Sequence, residues 1–207
     1  MILGSGVDLH KFQPSKTKAA RKQPVVVLFA SRLLKSKGID VFIEVAGQRQ
    51  QLMEEFDVDL EFWVAGKFDV TNPECIEADV IAAAVKLRQI SYLGEVGNMS
   101  SLIQKASILV LPTCYGEGLP KVLCEAASCA VPAIASDIPG CRQAIVDNET
   151  GFLIKEVNAG QFAMKIADLL GDVEKRQAMS DAARKHAEQF FGLDSITESH
   201  FKIYADG

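Results

Sequence analysis

Apolar residues fall into six short runs, set between longer stretches in which they recur every third or fourth position. The runs occupy residues 25–30, 60–65, 90–93, 108–111, 133–135 and 152–154. Short apolar runs bounded by glycine, proline or charged residues predict buried β-strands. The stretches between them read as helices. Over residues 38–56, Ile39, Phe42, Ile43, Ala46 and Met53 are spaced for one face. Residues 72–85 are alanine-rich and predict a second helix, and 99–105, 120–129 and 141–146 give shorter ones. Pro120 suits a first helical position, where its missing N–H is not needed. After the last strand, residues 159–170, 173–190 and 195–204 predict three more helices, the last carrying Ile196, Phe201, Ile203 and Tyr204. Strands alternating with helices imply right-handed crossovers, hence a Rossmann-like α/β fold with a parallel sheet of about six strands and helices on both faces.

This pattern divides the chain into a polar, basic linker region over residues 1–24, a domain over 25–190 and a final helix over 191–207. At 207 residues the chain can bury a full core as one large domain. A net charge of −5 argues against a nucleic-acid partner, whose phosphates favour basic faces. No apolar run is long enough to span a bilayer, and the opening residues lack a signal-peptide pattern. Five cysteines, odd in number and without zinc-ligand spacing, predict reduced thiols and a cytoplasmic protein.

The chemistry concentrates between Gly116 and Glu125, which read GEGLPKVLCE. A strand, a glycine-bearing loop and a helix N-terminus together make a place for an anion, because free N–H groups and the positive end of the helix dipole point into the crevice. Glu117 falls in the loop and Glu125 about one and a half turns into the helix. Two carboxylates on either side of an anion site suit a phosphate flanked by two polyols, as in a nucleotide sugar. Gly116 and Gly118 let the backbone approach a ligand closely, and the N–H groups of Gly118 and Leu119 can point at it. In parallel sheets ligands bind at the carboxyl ends of the strands, which puts Arg32 and the Glu117 loop on the same edge.

The segment resembles the spaced-glutamate motif of retaining glycosyltransferases with the GT-B fold, and further stretches match in order. Gly4-Ser5-Gly6-Val7-Asp8 with Phe12 resembles the linker where that family's second domain begins. Ala30-Ser31-Arg32 followed by Lys37-Gly38 resembles its diphosphate-binding basic pair. Ser136-Asp137-Ile138-Pro139-Gly140 and Thr150-Gly151-Phe152-Leu153-Ile154 match two more stretches. The resemblance implies the C-terminal, donor-binding half of a GT-B enzyme that moves a hexose from a UDP- or GDP-sugar to a glycan or lipid-linked acceptor. It points to bacterial surface polysaccharide synthesis, with peripheral membrane association of the whole enzyme. By the same resemblance, Arg32 and Lys37 serve the leaving phosphate, Glu117 positions the hexose near the reacting centre, and Glu125 accepts hydrogen bonds from the ribose. Gly116, Gly118, Leu119, Pro120 and Val122 complete the donor-binding set. No metal or other cofactor is expected, and the acceptor side would come from the domain preceding this one, to which the final helix would cross.

Plainer readings stand beside these. Arg32 and Lys37 also read as solvated cations, the two glutamates as ordinary acids near a helix start, and Gly140 as a turn glycine. The Asp57-Val58-Asp59 triplet resembles a metal-binding motif of a different nucleotide-sugar fold, but its position before a strand reads as solvated loop acids. His10, His186 and His200 pair with no nucleophile. The chain departs from the family at Ala130, where a glycine is usual, at Lys67-Phe68, where a second glycine is missing, and over residues 69–87, which are longer and more polar. A sugar-nucleotide 2-epimerase of the same fold and a non-catalytic nucleotide-sugar-binding module remain alternatives.

Overall fold

The computed structural model of the protein describes residues 6–15, 24–116 and 118–193. Its centre is a six-stranded sheet in which every neighbouring pair is parallel. The strands are β1 (Val25–Ala30), β2 (Leu60–Ala65), β3 (Ser91–Tyr92), β4 (Ile108–Leu111), β5 (Ala133–Ser136) and β6 (Gly151–Ile154), in the spatial order β3-β2-β1-β4-β5-β6. The continuous apolar runs explain the middle of the sheet. Val26 to Phe29 and all of β4 are buried on both faces, as strands covered by helices on both sides must be. The third strand shrinks from the expected four residues to Ser91–Tyr92 at the sheet edge.

Among the described residues there are eight α-helices: α1 (Ile39–Ala46), α2 (Arg49–Phe56), α3 (Ala78–Lys86), α4 (Met99–Ile103), α5 (Lys121–Ser128), α6 (Pro139–Ala144), α7 (Ala159–Gly171) and α8 (Val173–Phe190). One layer packs α1 and α2 against α7; the other packs α5 against α4, α6 and α8. Phe29, Phe42 and Phe62 form an aromatic column between sheet and α1, with ring centroids 5.4 and 5.7 Å apart. Cys124, Cys129 and Cys141 are buried and form no disulfide, and they pack in the core as small hydrophobes.

Four of the expected helices differ from expectation. The single helix expected over residues 38–56 is two, broken at Gly47 and Gln48. The Gln48 amide bonds back three residues to Val45 instead of four, which tightens the turn, and the Arg49 side chain draws α2 toward the Leu60 carbonyl. The helix expected over 72–85 begins only at Ala78. Residues before it spend their backbone groups on β1's loop: Glu74 accepts from Lys35 at 2.9 Å and Ile76 donates to Leu33 at 2.9 Å. The Asn72 side chain fixes that turn by accepting from the Glu74 amide. Pro120 is the N-cap of α5 rather than its first residue, with extended backbone. The N1 proline instead occurs at Pro139 of α6, which starts and ends two residues earlier than expected and buries Gly140. The helix expected over 195–204 lies outside the described residues.

Part of the expected linker is docked on the domain. Val7 and Phe12 are buried, and Val7 bridges Gly192 in parallel fashion. The Asp8 carboxylate accepts from the amides of His10 and Lys11, Ser100 donates to the Lys11 carbonyl, and Arg184 donates to the carbonyls of Phe12 and Ser128. Asp57 and Asp59 are exposed, and no group of three metal-ligating side chains occurs among the described residues. Nor is any described helix long and apolar enough to cross a membrane. His10 is exposed, and His186 packs on the rings of Phe190 and Phe191.

Two substitutions test this framework. Gly38 has a φ of 77°, and a Cβ there would overlap the Pro112 carbonyl. Gly38→Ala should therefore cost more than about 2 kcal/mol in urea unfolding. Arg184→Met removes two charge-assisted bonds to carbonyls and should cost about 2 kcal/mol in the same measurement, releasing residues 6–15 to faster hydrogen exchange than the sheet.

Candidate functional site

The sheet order reverses between β1 and β4, which pair through Val27 with Ile108 and Leu28 with Leu109. At such a reversal the loops leaving the two strands diverge and open a crevice at the carboxyl edge. Both sequence-predicted clusters lie there. The loop after β1 carries Arg32 and runs into a 3₁₀ turn, Lys35–Lys37. The loop after β4 carries residues 112–120 and leads into α5.

Backbone-level contacts lock these loops together. The Ser36 carbonyl accepts from the Thr113 hydroxyl and the Cys114 amide, each at 3.0 Å, and Gly38 lies directly against Pro112. Thr113 is fully buried, so these bonds are shielded from water. On the other side, Gly66 passes under Ser31 with a φ of 151°, a conformation only glycine adopts freely, and the Tyr92 hydroxyl donates to its carbonyl at 3.0 Å.

Arg32 is half exposed and ion-paired to Asp69 at 2.9 Å. The Thr71 hydroxyl donates to the other oxygen of the same carboxylate at 3.1 Å, so the guanidinium is oriented from below by a braced acid. Lys37, the last residue of the 3₁₀ turn, is half-buried. Asp69 belongs to the polar stretch that departs from the family, and no local pattern in the sequence ties it to a residue 37 positions earlier.

Helix α5, like α1, α2, α3 and α6, starts without a side-chain cap. Helices α4, α7 and α8 are capped by Asn98, Asn158 and Asp172, whose side chains accept from backbone amides. No side chain caps α5, and its first turn holds no acid. The amides of Lys121 and Val122 have no partner among the described residues. Gly116 and Gly118 flank the loop, and a Cβ built on either would meet nothing within 4 Å. Nothing in the described protein requires glycine there. Leu119 is half-buried and packs on the core, while Pro120 supplies the extended cap residue. Glu117 lies outside the described residues.

Glu125 is the fifth residue of α5 and is buried, at 8% exposure. Its nearest counter-charge is the Lys121 ammonium, 3.8 Å from Oε1. No hydrogen-bond donor reaches the carboxylate among the described residues. Burial pushes its pKa above the ordinary carboxylate value, opposed first by Lys121 and then by Lys11. The same negative charge adds to burial in pushing the adjacent Cys124 thiol up to about 12. Across the edge, the matched Ser-Asp-Ile-Pro-Gly stretch follows β5. The Ser136 hydroxyl is fully buried without a partner among the described residues, and Arg142 holds Asp137 at 2.6 Å, keeping that carboxyl below its usual range.

The structure thus places Arg32, Lys37, Gly116, Gly118, Leu119 and Pro120 on the two adjoining loops, and Val122 and Glu125 on the helix α5 that follows. It adds Asp69, Thr71, Ser36, Thr113 and Lys121, which the sequence reading missed. Of these, only the four-residue spacing of Lys121 and Glu125 was a usable signal.

Comparison with known proteins agrees with this fold. The D-inositol 3-phosphate glycosyltransferase of Paenarthrobacter aurescens is 31% identical over 89% of this chain and 46% of its own length. The N,N'-diacetylbacillosaminyl-diphospho-undecaprenol alpha-1,3-N-acetylgalactosaminyltransferase of Campylobacter jejuni is 28% identical over 99% of this chain and 53% of its own. The chain spans about half the length of the curated relatives it matches. In structure it is similar to Anabaena HepE, solved in complex with UDP, with a TM-score of 0.82 and 17% identity over 98% of this chain and 56% of that one. The sheet and its helical layers are therefore the Rossmann-like half of a GT-B fold. The sequence profile described as glycosyl transferases group 1 matches residues 11–186, and the chain belongs to that family.

Proposed function

We propose that this chain is the donor-binding half of a retaining glycosyltransferase and holds a nucleoside-diphosphate hexose across the β1/β4 crevice. The observation that carries this reading is Glu125. A buried carboxylate without a hydrogen-bond donor is costly, and the vicinal hydroxyls of a ribose would satisfy both its oxygens at once. One turn away, the uncapped start of α5 and the loop amides of Gly118 and Leu119 offer free N–H groups to the diphosphate. Open space around Gly116 and Gly118 leaves room for it. The lower half of the crevice supports the same orientation. Arg32, braced by Asp69, presents its fork to phosphate oxygens, and Lys37 adds a point charge.

In the reaction, the bond from the anomeric carbon to the β-phosphate oxygen breaks and its electron pair goes to that oxygen. An acceptor hydroxyl forms the new bond from the same face and its proton passes to the leaving phosphate. Charge grows on the phosphate and on the anomeric carbon, so fixed charges aimed at both give the largest stabilisation. Arg32 and Lys37 serve the first and Glu117 the second. No step calls for a metal ion. The acceptor, a glycan or lipid-linked sugar of bacterial surface polysaccharide, would be presented by a preceding domain. The half-length match to relatives and the UDP held by HepE support this reading, and uridine is the nucleotide to try first.

A thermal-shift titration of the protein with UDP, GDP, ADP and their hexose conjugates tests the site. Ligand at a hundred times its Kd should stabilise the fold by about 2.7 kcal/mol, on the order of 5 to 10 °C. Glu125→Ala and Arg32→Ala should each abolish most of that shift. No shift with any nucleotide, or full shifts in both variants, would refute the assignment. The 207-residue chain alone should transfer sugar at below roughly 1% of a typical enzyme's turnover, a few per second or more; ordinary turnover would show that no preceding domain is needed.

A further inference from the structure

Helix α5 breaks two local rules at one residue. Lys121 is its first residue, where the helix dipole disfavours a cation. It also stands four residues before Glu125, the weaker order for such a pair on a helix. Neither helix propensity nor packing accounts for it, since its side chain is 65% exposed while that of Glu125 is 11% exposed. What the position does provide is an ammonium 3.8 Å from a carboxylate that no hydrogen-bond donor reaches among the described residues.

We propose that Lys121 is a positioning residue for Glu125: it keeps the buried carboxylate ionised and turned toward the ribose subsite, and thereby sets the lower pH limit of nucleotide binding. The proposal rests on the reading of Glu125 as the ribose ligand. The surroundings leave few substitutes for Lys121. From the N-terminal segment Lys11 acts on Glu125, but more weakly than Lys121. The neighbouring Cys124 thiol is neutral at any ordinary pH. Of the elements packed on α5, helix α8 brings Arg184, which spends its guanidinium on the carbonyls of Ser128 and Phe12 and on Glu188. Helices α4 and α6 and strand β5 add no charge that acts on Glu125.

The consequence has two opposite signs. Only the ionised carboxylate accepts both ribose hydroxyls, so affinity falls as pH drops through the raised folded value. The unliganded fold behaves the other way. Its Glu125 binds a proton more readily than the unfolded chain does, so stability is lost as pH rises through the window between the ordinary value and the raised one, and regained on acidification. A ribonucleotide should be distinguished from its 2′-deoxy analogue only while Glu125 is charged.

The test follows the Glu125 side-chain carboxyl by carbon NMR without ligand, and UDP and 2′-deoxy-UDP by calorimetry, from about pH 5 to about pH 8. It uses the wild type, Lys121→Met, Lys121→Arg and the control Glu125→Gln. Lys121→Met should raise the NMR midpoint and Lys121→Arg should restore it. UDP affinity should fall about tenfold per pH unit below that midpoint, and the preference for UDP, on the order of tenfold or more, should vanish with it. Glu125→Gln should show neither pH dependence. An NMR midpoint unmoved by Lys121→Met overturns the proposal, as does a moved midpoint that the UDP profile ignores. If wild type binds neither probe and no GDP or ADP, the ribose reading itself fails, and the midpoint still decides what Lys121 does to Glu125.

Discussion

Where β1 and β4 lie side by side, two loops must leave a single sheet edge in opposite directions without exposing their backbones. One carbonyl resolves the conflict. Ser36 receives a hydroxyl and an amide from the neighbouring loop, and Gly38 removes the side chain that would have kept the two apart. Because Thr113 is fully buried, water does not readily replace a bond lost here, which raises the cost of breaking it. Everything proposed for the site hangs from this seam. Arg32 rides on one of the joined loops, and α5 with Glu125 starts at the end of the other.

The sheet was legible because central parallel strands leave an unmistakable trace. Val25–Ala30 and Ile108–Leu111 are uninterrupted apolar runs, Leu60–Ala65 is broken only by Glu61, and the structure returns all three residue for residue. Helix boundaries were less legible where tertiary demands overrode local pattern. The apolar face of 38–56 gives no hint that Arg49 will be pulled onto Leu60, and the alanine-rich tract gives none that residues 74–76 will bond to Leu33 and Lys35. Proline misled by one position at Pro120 and marked a helix start at Pro139, since a fixed φ suits both N-cap and N1. In the site, residues on one motif could be named in advance. Asp69 could not, because its relation to Arg32 exists only across two strands.

Helix α5 is assembled against two local preferences, those that disfavour a cation at a helix start and a lysine placed before its acid. Asn98, Asn158 and Asp172 close the starts of α4, α7 and α8, whereas α5 begins open, with a lysine first and an acid buried behind it. Sequences that satisfy local rules nearly everywhere tend to break them where something must bind. The cost sits in a short helix held on three sides by α4, α6 and α8, which can bear it.

The parallel bridge between Val7 and Gly192 has a mechanical meaning. It places the two places where the polypeptide enters and leaves this domain next to each other, stitched by the Val7 amide on Phe191 and the Leu193 amide on Val7. Anything joined to the domain through both strands would swing about that paired cord as a door swings on one hinge post. A fold with adjacent entrance and exit is also modular: it can be lifted out, exchanged or inserted into another chain without stretching its host.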